Sequence, residues 1–331
     1  MIDNVGDLNL KKMQITFLGN FTVPYTSENH YLRTLRDLGH EVLYFQEGKA
    51  KGQEVLNSAL KSDYFFWVHT HGWKPVTGAI NIRELLGTLK KAKIPSFGYH
   101  LDLWMGIERQ KDLYTDPYWK IDYFFSVDKS MVKFLNSNPR FPKSFYMPAG
   151  VLKNECERLE EYCGEFKHDV VFVGSRRYHS EWPYRPKLID WLASEYGPGF
   201  AHYGGDGLGV VRGRELNAVY LSSKIVIGDT LCKGFNYPYY LSDRIFETTG
   251  RGGFIIHPYI KGLEDLFVVG KEIVVYEYND FETLRNLIDK YLLEAEERET
   301  IRMAGNARTF KDHTYTNRLS DILNILAREK L

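Results

Sequence analysis

The chain predicts two α/β units, each a doubly wound parallel sheet flanked by helices. Three observations carry this. Short apolar runs alternate with amphipathic stretches, the alternation restarts near mid-chain, and 331 residues suffice for two domains of ordinary size.

In the first half the strand-like runs are "QITFLGNF", "EVLYFQ", "DYFFWVHTH", "IPSFGYHLD", "DYFFSVD" and "SFYMPAG". Rich in β-branched and aromatic residues, they suit strands buried on both faces. Between them lie helical stretches such as "ENHYLRTLRDLGH" and "NIRELLGTLKKAK", the latter with an apolar stripe of Ile82, Leu85, Leu86 and Leu89. The second series runs "HDVVFVGS", "GFAHYGG", "KIVIGDT", "GGFIIHP" and "KEIVVYEY". Its helices are "RPKLIDWLASEY", "RELNAVYLSS", "SDRIFETTG" and the long stretch "DFETLRNLIDKYLLEAEERETIRMAGNAR". The polar segment 148–169 reads as the connection between the two series. The expected organisation is an N-terminal domain over 1–150, a second over 151–314, and a last helix over 315–331 that packs back on the first. Two such domains facing one another would form a ligand cleft.

Composition bounds the function. Hydrophobic content of 44% with 26% charged residues is that of a folded chain, and 43 basic against 43 acidic residues leave no global field for nucleic acid or anionic membranes. Twenty-three tyrosines and twenty phenylalanines suit either stacking surfaces or an aromatic core. Cys156, Cys163 and Cys232 are unevenly spaced, neither a disulfide framework nor a metal knuckle, which points to a reducing compartment. With no signal-like run at the start and no apolar stretch of membrane-spanning length, a soluble cytoplasmic protein is expected. The motifs of P-loop, dinucleotide-binding, α/β-hydrolase, zincin and kinase chemistry are missing.

Three stretches of the second half are candidates for binding chemistry. In "VVFVGSRRYHSEWPYRPKLIDWL" a strand ends at Val173, Gly174 permits a tight turn beside Ser175, and Arg176 and Arg177 precede a helix start, an arrangement able to hold phosphate. "HYGGDGLGVVRGREL" has four glycines within 204–209, followed by Arg212 and Arg214, and reads equally as a solvent loop. In "SDRIFETTGRGGFIIHPY", helical spacing puts Arg244, Glu247 and Arg251 on one face, either as a salt-bridged surface or as a polar wall, with Glu247 able to accept two hydroxyls.

In the first half, "SFGYHLDLW" sets His100 and Asp102 on one side of an extended chain, and "WVHTHGW" does the same for His69 and His71. No third ligand at metal-site spacing accompanies the His-x-His pair, so no metal is expected. Gly19, Asn20, Glu28 and His30 stand at the first strand-to-helix turn, where Ser27 and Glu28 read as helix capping and dipole compensation.

The segments "DVVFVGS", "ELNAVYLSSKIVIGD", "SDRIFETTGRGGFIIHPYIKGLEDLFVVGKEIVVYEYNDFETLRNLIDKYL" and "RMAGNARTFKDHTYTNRLSDIL" together resemble the group 1 glycosyltransferases of GT-B fold, in particular the spore-maturation-type branch. The resemblance spans about 160 residues; the first half shares only the rhythm and "TLRDLGHEV". It implies transfer of a hexosyl or pentosyl group from a nucleotide-diphosphate sugar, a UDP-sugar ahead of a GDP-sugar, to an acceptor hydroxyl, without a metal. It also implies that Glu247 holds the ribose, that Gly252 and Gly253 let the backbone approach the donor, and that Gly174, Ser175 and Arg176 or Arg177 meet the diphosphate, with Lys233 and Arg244 competing for the family's basic pair. The chain departs from the family's paired glutamates, since Tyr239 stands eight residues before Glu247. On the acceptor side, Gly19, Asn20, His69 and His71 border the site; an inverting reaction would use Asp102 as general base, with His100 next, and in a retaining one both would only position the sugar. The acceptor is left open among polysaccharide, protein, small metabolite and modified DNA base. A nucleotide-sugar epimerase and a non-catalytic nucleotide-sugar-binding protein are the alternatives.

Overall fold

The computed structural model describes residues 11–157, 166–177, 183–230 and 240–329. The chain divides into two compact units, one formed by residues up to Pro148 together with the segment from Tyr315 onward, the other by Ala149–Thr314.

Unit 1 is a six-stranded sheet of β1 (Gln14–Gly19), β2 (Glu41–Gln46), β3 (Tyr64–Trp67), β4 (Ser96–His100), β5 (Tyr123–Ser126) and β6 (Lys143–Tyr146), in the order β2-β1-β3-β4-β5-β6. Every neighbouring pair is parallel. The helices α1 (Ser27–Asp37), α2 (Gly52–Ala59), α3 (Ile82–Lys91) and α4 (Lys129–Asn136) make four of the five crossovers, and β4 reaches β5 through short 3-10 turns at Glu108–Asp112 and Pro117–Lys120. α3 buries Ile82, Leu85, Leu86 and Leu89, and a capping box of Asn81 and Glu84 starts it. Burying those four aliphatic side chains contributes about 1.5–3 kcal/mol each. α1 is capped by Thr26, whose hydroxyl accepts from the Asn29 amide, so the cap lies one residue before the expected Ser27.

Aromatic residues form much of this core. Phe17, Phe66 and Phe97 stack on successive strands with centroids 4.1 and 4.4 Å apart, and Tyr31 stacks on Tyr99 at 4.9 Å. Of the two readings of the aromatic content, core packing accounts for these residues. The C-terminal helix, Tyr315–Glu329, covers the same unit, with Tyr315 edge-on to Tyr31 and the Lys143 ammonium donating to Glu329 over 2.6 Å.

Unit 2 is a five-stranded sheet of β7 (His168–Val173), β8 (Phe200–Tyr203), β9 (Ser223–Ile227), β10 (Ile255–Pro258) and β11 (Val274–Tyr276), ordered β11-β10-β9-β7-β8, again parallel throughout. Its helices are α5 (Tyr184–Tyr196), α6 (Gly213–Leu221), α7 (Arg244–Gly250), α8 (Phe281–Leu293) and α9 (Ala295–Asp312). The stretch read as one long helix is two, broken at Glu294, whose φ of −85° and ψ of 68° leave the helical region. The break lets α8 keep Leu284, Ile288 and Tyr291 on the core while α9 changes direction to bury Ile301 and Gly305.

The segment expected as a polar connection is partly built into unit 2. The Val151 amide donates to the His313 carbonyl, the Glu157 amide to that of Gly250, and the Asn306 side chain to the Glu157 carbonyl.

Candidate functional site

In a parallel α/β sheet, ligands gather at the carboxyl ends of the strands. Each unit has a polar cluster at that edge, and the two differ in chemistry.

In unit 2, β7 runs out at Val173, and Gly174 takes a φ of +149°. A Cβ there would stand 2.8 Å from Nη2 of Arg244, so glycine permits both the backbone turn and the approach of the guanidinium. Arg244, the first residue of α7, donates from Nη1 to the Val173 carbonyl and lies over the Phe172 ring at 5.1 Å. Burial, and then Arg185, press its pKa below the ordinary arginine value.

Arg185 sits in the first turn of α5 and Asp229 just past β9. They form a buried ion pair, Nε to Oδ2 at 2.7 Å, with exposures of 6% and 0%, and Arg185 also donates to the Ser175 carbonyl over 2.9 Å. One arginine of this edge is therefore neutralised in place. Arg244, by contrast, has no carboxylate within 4 Å among the described residues, and its Nε is buried without a hydrogen-bond partner. Asp229 Oδ1, Thr230 Oγ1, Ser242 Oγ and His257 Nε2 are also buried and unpartnered among the described residues. Buried polar atoms are nearly always satisfied. A cluster of orphans around a guanidinium with no carboxylate partner among the described residues has the chemistry of an anion site.

Glu247 and Arg251 do share a face, but Arg244 turns away from it. Arg251 is buried and donates from Nε to Glu247 Oε2 over 2.5 Å, from Nη1 to Asn217 Oδ1 over 2.6 Å, and from Nη2 to Glu155. Burial works against the Arg251 charge, but Glu247 and then Glu155 outweigh it and raise its pKa. Burial raises the pKa of Glu247, against the pull of Arg251.

Other expected residues fall outside this cluster. Gly252 and Gly253 form the turn from α7 into β10, at the entry of the strand and not its carboxyl end. A Cβ at Gly253 would come 2.7 Å from Thr248 Cγ2, and the Gly252 carbonyl accepts from Arg302 over 2.5 Å. Gly253 is tightly packed, and Gly252 has a φ of +86° that favours glycine. Arg176 is half-buried, its guanidinium held by Asp190 and its amide donating to Asp206 over 3.2 Å; Arg177 is exposed. Lys233, Tyr239, Cys163 and Cys232 lie outside the described residues. Cys156 is free, its thiol pushed up to about 12 by burial, which leaves it unreactive.

The edge of unit 1 is rich in carboxyl groups. Glu47, just past β2, is fully buried and accepts from Trp67 Nε1 at 3.0 Å, from the Thr70 amide at 2.7 Å and from His69 Nδ1. On the other side of that imidazole, Asp116 Oδ2 lies 3.6 Å from Nε2. Burial opposes the imidazolium, but Asp116 and Glu47 prevail and push its pKa up to about 9. His71 Nε2 stands 3.0 Å from Asp112 Oδ2. Asn20 Oδ1 accepts from the Thr22 hydroxyl at 2.6 Å and organises the turn after β1. A Cβ at Gly19 would come 3.0 Å from Glu28 Cγ. Glu28 is 7% exposed, and burial pushes its carboxyl up to about 7.

His100 and Asp102 come together as the alternation expects, with Nε2 3.9 Å from Oδ2. His100 is 5% exposed, neither ring nitrogen has a hydrogen-bond partner among the described residues, and burial presses it down to about 4. Asp102 is 48% exposed in its side chain and lies 3.5 Å from Arg109 Nη1. Among the described residues no group of three or more His, Cys, Asp or Glu side chains could hold a metal ion, and no helix is long and apolar enough to cross a membrane.

Sequence reasoning missed Glu47, Asp116, Arg185 and Asp229. Glu47 and Asp229 each follow a strand within two residues, in "YFQE" and "VIGD", and that position was the available signal.

Comparison with known proteins accords with this architecture. A family model described as "Glycosyl transferase-like" matches residues 158–324, more than half of the chain. No curated protein sequence matches it. Among solved structures, Anabaena HepE in complex with UDP and glucose is similar over 96% of this chain and 100% of its own, at a TM-score of 0.64 and 13% identity. An α-glucosyltransferase in complex with UDP-glucose and DNA containing an abasic site has a TM-score of 0.67 at 12% identity, covering 96% of this chain and 100% of that one. Sucrose-phosphate synthase from Thermosynechococcus elongatus has a TM-score of 0.57 at 11% identity, covering 96% and 99%. The chain belongs to the glycosyl transferase-like family and is a glycosyltransferase of GT-B fold.

Proposed function

We propose that the protein transfers a sugar from a UDP-sugar to an acceptor hydroxyl, and that it belongs to the spore-maturation-type branch. The observation that carries the donor assignment is Arg244, a guanidinium without a carboxylate partner among the described residues, beside Gly174 and a set of buried unpartnered polar atoms. A diphosphate supplies the missing anion, and the UDP or UDP-glucose bound by similar folds supports that choice. Arg244 meets the diphosphate, assisted by Ser175, Arg176 and Arg177, with Lys233 as a further candidate. Glu247, its carboxylate steadied by Arg251, accepts the ribose hydroxyls. The leaving group is stabilised by fixed positive charge that needs no reorganisation during the reaction, and no metal is required.

On unit 1, Asp102 is the general base of an inverting reaction. Its half-exposed carboxylate can accept the acceptor's proton. His100, kept neutral by burial, offers the substrate a hydrogen bond and carries no charge at neutral pH. Gly19, Asn20, His69 and His71 shape the acceptor side. The cysteine content supports work in the reducing cytoplasm.

A thermal-shift screen against UDP-, GDP-, dTDP- and ADP-sugars, with and without chelator, tests the donor. A chelator-insensitive shift for the UDP-sugar that is reduced in Glu247→Ala is expected; no shift with any of them would sink the reading. Asp102→Asn should abolish turnover and spare donor binding, and near-normal turnover would remove Asp102 from its role.

A further inference from the structure

The carboxyl edge of unit 1 carries five carboxyl groups: Glu47 and Asp116 on either side of His69, Asp112 on His71, Asp102 facing His100, and Glu28 near enough to Glu47 to interact with it. Among the described residues a fixed cation, Arg109, stands 3.5 Å from Asp102, and the charge on His69 is held by Glu47 and Asp116. Ionised carboxylates only accept hydrogen bonds. They suit a ligand that brings many O–H donors and disfavour one that brings its own negative charge.

A second observation points to a ligand here. His100 is buried at the end of β4 between the rings of Trp104 and Tyr118, at 6.0 and 5.8 Å. Its Nε2 faces Asp102 Oδ2 across 3.9 Å, too far for a hydrogen bond, and both ring nitrogens go unpartnered among the described residues. Trp104 Nε1, beside it, is also buried without a partner among them. A hydroxyl can donate to one group and accept from another, so a polyol supplies what this edge lacks.

Resting on the glycosyltransferase reading above, we propose that this edge takes an uncharged saccharide as acceptor, and that its carboxylates turn away acceptors bearing carboxylate or phosphate, nucleic acid included. The acceptor class is set by the acid-rich edge of unit 1, not by the donor unit.

The test is binding. Methyl glycosides of glucose, galactose, mannose and N-acetylglucosamine are titrated by ligand-observed NMR, with and without UDP, beside methyl glucuronide, glucose 6-phosphate and a short DNA duplex. At least one neutral glycoside should bind ten-fold or more tightly than the glucuronide, and Asp102→Asn, at an exposed position that tolerates change, should narrow that ratio at least threefold. Glu28→Gln should narrow it at pH 8 and not at pH 5. Equal or tighter binding of glucuronide, phosphate or DNA would overturn the proposal, as would the failure of every neutral glycoside to bind. UDP affinity is scored separately in the same samples, so a failed donor reading is told apart from a failed acceptor one.

Discussion

The carboxyl edges of the two sheets are built alike and charged oppositely. In unit 2 the surplus is arginine: buried Arg185 is cancelled by buried Asp229, and Arg244 has no carboxylate within 4 Å among the described residues. In unit 1 it is carboxyl: Glu47 and Asp116 enclose His69, and Glu28 lies buried nearby. Isolated buried charge is costly, and neither edge is explained by stability alone. On the proposed assignment of donor and acceptor, the contrast separates the two tasks of a transferase, in which one substrate carries a diphosphate and the other only a hydroxyl.

The sharpest way to break the comparison is to remove the compensation inside the basic edge. Asp229→Ala leaves Arg185 buried and unpaired, and should cost about 3–5 kcal/mol of stability, measured by urea unfolding. A loss below about 1 kcal/mol would show that Arg185 escapes to solvent and that the pair is not a fixed element.

The edges should also differ in their response to pH. Glu28 is raised from the usual carboxylate range to about 7, so the folded chain holds a proton that the unfolded chain releases near 4.5. Stability on its account falls as pH rises from about 4.5 through 7, by about 3 kcal/mol in all. Glu28→Gln should match the wild type at pH 5 or lower and exceed it by up to about 3 kcal/mol at pH 8. His69 adds a fall of the same sign at higher pH. Its stabilisation is fully present below about 6.5 and is lost as pH rises through about 9. Unit 2's arginines contribute no such slope in that window.

Ligand affinity sharpens the contrast at smaller amplitude. Arg244→Met should weaken UDP binding by about 2–3 kcal/mol, on the order of a hundredfold, by isothermal titration calorimetry. Glu247→Ala should cost about 1.5 kcal/mol, the value of a charged hydrogen bond. Arg177→Ala, at an exposed position where charge is screened, should weaken UDP binding by only about 0.5–1 kcal/mol.

Much of the fold was legible because strand runs such as "DYFFWVH" and "HDVVFVG" are apolar throughout and end at polar residues, the pattern of strands buried on both faces. The α3 stripe was legible for the same reason of period. The site was less so. Helical spacing groups Arg244 with Glu247 and Arg251, but it cannot tell that Gly174 opens a path by which Arg244 reaches Val173 instead. Nor can one strand's sequence show that Arg185 will meet Asp229, 44 residues away and one strand over. For Gly252 and Gly253 a glycine pair serves packing and ligand approach equally well in sequence, and the structure adds their place at the strand entry.

The central claim is that the two edges divide the substrates by charge, and the most direct measurement is UDP calorimetry on three proteins at one salt concentration. The account predicts that the wild type binds UDP, that Asp102→Asn binds it with unchanged affinity, and that Arg244→Met loses about a hundredfold. UDP binding to Arg244→Met at wild-type affinity would contradict it, as would a weakening in Asp102→Asn as large as that in Arg244→Met.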